Sequence, residues 1–370
     1  MKNILLGTTG LVGAALLAAS ASAQTPKVTV GGFIDFQAGL SDDDLQGNTT
    51  RDYGFRNDSE ISFQIDGQSD SGLGYGAVID LEADVTADSD AQGLNSSRTY
   101  IYLDGGFGRF ELGSVEGSSA TMAIDADNIA VATGGINGAW TYFASATGSS
   151  FISTPELPAE HASTLTLGAE NNVNAAKINY YSPRFSGFQL GLSYTPDLDD
   201  RGQGLVRSET GGTAGDVFDI ALNYEGSFDQ IDLGVSGVYT SGEGDAGTED
   251  LRAWVIGAML GYQGFSIAGS FADWDDSLMA TGTNVDGDYY TLGAAYENGP
   301  FGVSATWIDS ELDFGASSND FNNLVIGADY KLAPGLTPYA EVSFYDFDVA
   351  GTTVGDNDGT VFILGTQLAF

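Results

Sequence analysis

A single histidine, His161, and no cysteine stand in this chain. A zinc site built from His and Cys is thereby excluded. Thiolate chemistry and disulfide staples are absent, and a nucleophile with a base would have one imidazole to draw on. His161 sits in Pro158-Ala159-Glu160-His161-Ala162-Ser163, where a loop hydrogen bond fits better than catalysis, so an enzyme is the disfavoured class. What remains is the chemistry of carboxylates. Asp42-Asp43-Asp44, Asp197–Asp200, Asp286-Gly287-Asp288 and Asp356-Asn357-Asp358 offer oxygen ligands that calcium or magnesium could use. None has the full EF-hand spacing; no cofactor is required, and a structural calcium ion at Asp286, Asp288, Asp356 or Asp358 is the one metal expectation. The net charge of −39 repels a phosphate backbone, which argues against nucleic acid, and attracts divalent cations.

The elements that would carry these groups read as strands throughout. Residues 1–23 have the three parts of a secretory signal: Lys2, the apolar run Leu11–Ala19 and the small-residue site Ala21-Ser22-Ala23. Cleavage is expected after Ala23, leaving one domain over 24–370. No other apolar stretch approaches the roughly 20 residues of a spanning helix. From Val28 onward, apolar and polar residues alternate. Ile61, Phe63 and Ile65 alternate with Glu60, Ser62, Gln64 and Asp66, and Phe218, Ile220, Leu222 and Tyr224 with Asp219, Ala221 and Asn223. Fifty-two glycines, 21 Phe and 17 Tyr suit a large all-β protein rather than a disordered one. Seven pairs of strands are joined by short turns, such as Gly105-Gly106, Gln263-Gly264 and Asn298-Gly299-Pro300. They are separated by long acidic loops: Ser41–Arg56, Asp197–Gly215, Ser241–Asp250, Asp275–Asp288, Ser310–Asp320 and Asp348–Gly359. With Val28–Leu40 and Thr360–Phe370 at the ends, this makes about sixteen strands of a transmembrane antiparallel β-barrel, with short periplasmic turns and long extracellular loops. A soluble sandwich would need linkers between domains of about 100 residues, and none appears. Tyr180, Tyr181, Tyr194, Tyr224, Tyr239, Tyr262, Tyr296 and Tyr330 gather near strand ends as an aromatic girdle would. Arg252 and Trp254 share a parity, which predicts a local irregularity.

Several stretches together resemble the general porins of Gram-negative bacteria, the trimeric sixteen-stranded diffusion type. Val28–Asp35 is similar to their first strand. Ser97–Gly113, turning at Gly105-Gly106-Phe107-Gly108, resembles their most recognisable hairpin, Ile178–Phe188 the hairpin after the third loop, and terminal Phe370 the family's membrane-assembly signal. The resemblance implies a cell outer-membrane location, passive diffusion of small hydrophilic solutes and ions, a homotrimer, contact with outer-membrane lipid and lipopolysaccharide, and delivery by periplasmic chaperones and the barrel assembly machinery. It also implies that the third loop, about 115–175, folds into the lumen and narrows it. Asp125, Asp127, Glu156 and Glu160 would be that loop's constriction carboxylates. Alternation puts Arg98, Arg109 and Lys177 on the lumen face as basic wall candidates, with Glu111, Glu60 and Asp35 as acidic ones. The chain departs from the family where Glu60, Gln64 and Glu111 stand in place of basic wall residues, so the expected preference is for cations. The alternatives are a sugar-type specific channel, with Trp140, Tyr142 and Phe143 as an aromatic slide, and a structural or adhesive surface barrel.

Overall fold

The computed structural model describes residues 24–45, 51–83, 95–145, 150–160, 174–202, 214–349 and 356–370. The leader reading on 1–23, its Ala23 cleavage site and His161 lie outside these residues. The described chain is a closed antiparallel barrel of sixteen strands. They are β1 (Gln24–Asp43), β2 (Tyr53–Gln68), β3 (Gly74–Glu82), β4 (Asn95–Gly105), β5 (Gly108–Ser114), β6 (Ala176–Tyr181), β7 (Phe188–Asp197) and β8 (Ala214–Phe228). The second half comprises β9 (Ile231–Gly244), β10 (Leu251–Tyr262), β11 (Phe265–Asp275), β12 (Asp286–Asn298), β13 (Phe301–Asp313), β14 (Ser318–Tyr330), β15 (Leu336–Val349) and β16 (Asn357–Ala369). Each strand pairs with its sequence neighbours, and β1 pairs with both β2 and β16, from Phe33 opposite Ala369 to Asp43 opposite Gly359. Phe370 completes the seam. Its N–H donates to Gly32 O at 3.0 Å, and its carbonyl accepts from Gly32 N at 3.1 Å. Closure leaves no open sheet edge, which is what a sheet needs where no water can satisfy its backbone.

One parity of each strand points out, and it is apolar around the whole circumference. Ile34 and Phe36 on β1, Ile220 and Leu222 on β8, Ile256 and Leu260 on β10, Leu324 and Ile326 on β14, and Leu364 and Leu368 on β16 are all exposed. An exposed apolar surface running round a protein marks lipid contact. Most of the expected girdle tyrosines share this parity. Tyr181 does not: it faces the interior, where its hydroxyl bonds that of Thr121 at 2.8 Å. The predicted irregularity at Arg252 is absent as well, since β9 and β10 pair without a register break. Arg252 is the second residue of its strand. It pairs with Asp250 at 3.1 Å in the open, while Trp254 turns its Nε1–H to Asp273 one rung nearer the middle. A two-residue step along a rim is enough to take a side chain from lipid to water, so both are accommodated.

The strands run further at the long-loop end than their apolar pattern does. Strand β13 continues to Asp313 and β14 starts at Ser318, although the alternation places Ser310–Asp320 in a loop. Likewise Asp286 and Asp288 belong to β12 and Asp358 to β16. Asp356 precedes β16 and accepts from Val349 N at 2.8 Å. Among the described residues, no three His, Asp or Glu side chains draw together into a metal-holding group.

Candidate functional site: the occupied lumen

After β5 the chain turns inward. Helix α1 (Ser118–Met122) and three short 3-10 turns, at Ala126–Ile129, Gly135–Asn137 and Ala139–Tyr142, follow one another along the inner wall. Backbone donors of this loop meet small hydroxyl side chains of successive strands. Ser118 N donates to Ser193 on β7, Ile124 N to Ser236 on β9, Ala126 N to Thr291 on β12 and Val131 N to Ser304 on β13. Thr133 then donates to Glu341 on β15 through both backbone and hydroxyl, and Ser145 N reaches Asp43 on β1 at 3.2 Å. Inward glycines make room for the passage. A methyl group at Gly257 would collide with the carbonyl oxygen of Ile124, and one at Gly39 with the ring of Phe143.

Between β12 and β16 the inward parity is apolar at the long-loop end. Trp140 is fully buried there, stacked on Phe321 and Tyr345 with ring centroids 6.0 and 5.3 Å away, and its Nε1–H donates to Ile136 O at 2.7 Å. The returning leg adds Phe151, Ile152 and Leu157, all about 1% exposed. Phe151 packs edge-on against Phe347 at 4.8 Å. Ser310 Oγ donates to Ile152 O, and Tyr289 Oη to Pro155 O. The barrel therefore holds a hydrophobic core on one side of its lumen, formed between the loop and the inward residues of β12 to β16. Trp140 sits in this core and is no part of an aromatic slide, whereas Tyr142 is half exposed, with the Arg56 guanidinium 3.6 Å from its ring centroid.

The loop touches β1 at Gly39 and Asp43 and β6 at Asn179 and Tyr181; the wall it covers least is β2 to β5, and most of the wall candidates are on it. Arg98 pairs with Asp80 at 2.8 Å and stands 3.9 Å from Glu116, the second residue after β5. Arg109 pairs with Glu111 at 2.7 Å and lies over the Tyr102 ring at 4.0 Å. Arg56 belongs to the same wall, because β2 begins at Tyr53 and not beyond Arg56 as the loop reading had it. It pairs with Asp58 at 3.0 Å and bonds Gln37 Oε1 at 3.1 Å. Each of these three arginines is thus held by a carboxylate of the wall. Asp35 is buried and accepts from Tyr339 Oη at 2.7 Å and from Gln37 Nε2 at 2.9 Å. Glu60 accepts from Ser97 Oγ at 3.1 Å. Lys177 is buried within electrostatic reach of Asp219, Glu116 and Glu160.

The loop carboxylates have mainly internal partners. Asp125 caps the first 3-10 turn, accepting from Asp127 N at 2.7 Å while Asn128 closes the box. Asp127 accepts from Ile136 N and Asn137 N at 2.8 and 2.9 Å, tying the first turn to the second. Asn137 donates to Glu156 at 2.7 Å, and Leu157 N to Glu160 at 3.1 Å. Burial pushes Asp125 up to about 6, and it raises Asp127 as well, with the neighbouring Asp125 charge adding to it. Glu160 rises to about 8 through burial and then through the charge of Glu156. Glu116 is raised too, by burial that outweighs the attraction of Arg98.

The sequence profile of the family described as "Gram-negative porin" matches residues 8–350. Among curated sequences, an uncharacterized protein of Rickettsia conorii is 25% identical, with 75% of this chain and 76% of the relative covered. A second, from Rickettsia typhi, is 26% identical with 80% of each covered. Among solved structures, an anion-selective porin from Comamonas acidovorans superposes with a TM-score of 0.63 at 18% identity, over 94% of this chain and all of that one. A loop-deletion variant of the Vibrio cholerae outer-membrane protein OmpT does so with a TM-score of 0.60 at 13% identity, over 93% and 99%.

Proposed function

This chain belongs to the Gram-negative porin family, and we propose that its barrel is a water-filled outer-membrane channel for small hydrophilic solutes and ions, with a preference for cations. One observation carries the preference. The inward face of β2 to β5 carries Asp58, Glu60, Asp66, Asp80, Glu82 and Glu111 against Arg56, Arg98 and Arg109, so carboxylates outnumber arginines there. A fixed negative wall raises the local cation concentration and lowers that of anions. The Comamonas neighbour is an anion-selective porin, but the likeness to it is one of fold, and selectivity follows from side chains. Assembly as a homotrimer, contact with lipopolysaccharide and delivery by periplasmic chaperones and barrel assembly machinery are part of the same proposal, as is the use of Phe370 as an assembly signal. The test is reversal potential across a potassium chloride gradient in planar bilayers. A potential of the sign set by cation permeation is expected; an anion-selective potential refutes the preference, and absence of conductance refutes the channel. A sugar-specific channel has less support, because Trp140 is enclosed in the loop core.

A further inference from the structure

Every strand pairing but one joins strands consecutive in the chain; β1 with β16 joins its two ends. Loop-closure entropy grows with the length of chain enclosed, so this pairing is the costliest to close from the unfolded chain. A seam of that kind is where a closed sheet would first open locally.

Two side chains of β15 cross over β16 to reach β1. Tyr339 is directly opposite Gly365 on β16, and its hydroxyl donates to Asp35 on β1 at 2.7 Å. Further along, Tyr345 is directly opposite Gly359, and its hydroxyl donates to Asp43 on β1 at 3.2 Å. Both tyrosines and both aspartates are buried on the inward face. Glycine is required beneath each ring. A methyl group at Gly365 would overlap the Tyr339 ring, and one at Gly359 would overlap Tyr345 and the Asp43 Cβ. In return the ring covers a stretch of backbone that has no side chain of its own to pack. Each phenol spans two inter-strand spacings, about 9–10 Å, where a ladder hydrogen bond spans one. The same construction stands away from the seam as well. Tyr102 on β4 is opposite Gly76 on β3, and its hydroxyl reaches Asp66 on β2, also opposite Gly76.

We propose that Tyr339–Asp35 and Tyr345–Asp43 are straps that lock the closing strand β16 from inside the barrel. Opening either interface of β16 lengthens the distance from β15 to β1. Both straps must therefore give before the seam parts, and it opens as one unit instead of fraying from Phe370.

Hydrogen exchange followed by mass spectrometry, on the folded protein in detergent micelles, tests this independently of conductance and of the channel reading. Losing a hydrogen bond to a carboxylate should speed local opening about tenfold or more. Tyr339→Phe with Tyr345→Phe keeps both rings over their glycines and removes both hydroxyls. Amides of β16 should then exchange at least about tenfold faster, while those of β8 and β9 keep their rate. Tyr102→Phe removes a matching bond elsewhere and should leave β16 unchanged. Gly365→Ala displaces the Tyr339 ring with both hydroxyls still present, and should also speed exchange in β16. If the double substitution prevents folding, Tyr345→Phe alone is read in the same way. Unchanged exchange in β16 would overturn the proposal. So would equal acceleration in β8 and β9, or an effect of Tyr102→Phe on β16 as large as that of the strap variants. Either would mean a general loss of stability and no lock at the seam.

Discussion

Trp140→Ala would test whether the loop is held by a core built inside the barrel. The indole is fully buried, stacks on Phe321 and Tyr345, and donates one hydrogen bond, to Ile136 O. Truncating a buried tryptophan to alanine costs about 3–5 kcal/mol. Of that, the two stacked pairs account for about 0.5–1.5 kcal/mol each and the hydrogen bond for about 1 kcal/mol. The loss falls on loop docking, since no strand pairing passes through Trp140. At about 1.4 kcal/mol per decade, the population of released loops rises by a factor of at least ~100. Single-channel recording should then show larger and noisier conductance than wild type, and limited proteolysis of the folded barrel should cut within the loop. Thermal unfolding of the sheet, followed by circular dichroism at strand wavelengths, should move little. Unchanged conductance together with an uncut loop would refute the reasoning, because it would mean that docking does not depend on this core.

Acidification should tighten the same loop. Glu160 is held near 8, above the ordinary glutamate value, so the docked state binds its proton more readily than a released loop does. Its contribution to docking is full below the ordinary carboxylate range and is lost as pH rises through about 8. Conductance noise should therefore rise from about pH 5 to pH 8, and Glu160→Gln should flatten that dependence. Gly257→Val, which drives a side chain into the Ile124 carbonyl, should unseat the loop near β10 at a cost of about 1–3 kcal/mol, seen as proteolysis of the folded channel; a fully protected loop would count against the close approach. On the outer parity, Asp273, Asp288, Glu311, Asp320 and Asp348 form one acid rung across β11 to β15. Chelating divalent cations should therefore lower the melting temperature by a few degrees, at roughly 1 kcal/mol of lost screening. An unchanged melting temperature and oligomer state would dismiss a structural role for calcium.

The barrel was legible because lipid demands it. An apolar outer parity repeats every second residue in Phe218–Tyr224 or Leu324–Tyr330, and no other solvent imposes that pattern on sixteen strands. Legibility stops where lipid stops. Asp309, Glu311 and Asp313 continue β13 above the apolar band, and nothing apolar records them as strand. The same effect hid Arg56, which stands two residues beyond Asp58 on a polar strand end and reads as loop. Inside the barrel, the inward aromatics Phe321, Tyr345 and Phe347 looked like ordinary strand formers, although they are half of a core whose other half is the loop. A usable signal was present in the glycines. Gly191, Gly234, Gly257, Gly293, Gly302 and Gly327 are all inward, and all are touched by residues 118–132. Small inward residues on successive strands trace the path of something laid against them.

This division of the wall also explains why acids can stand opposite acids on β1 to β3, Asp35 facing Asp58 and Glu60 facing Glu82. On β12 to β16 the loop and the wall share a dry core, where an unpaired charge would cost several kcal/mol; Glu341, the inward carboxylate of β15, is there bound twice by Thr133. On β2 and β3 the high dielectric of the channel water screens like charges, and at the β1 edge Arg56 stands beside Asp58, so the opposed acids cost little.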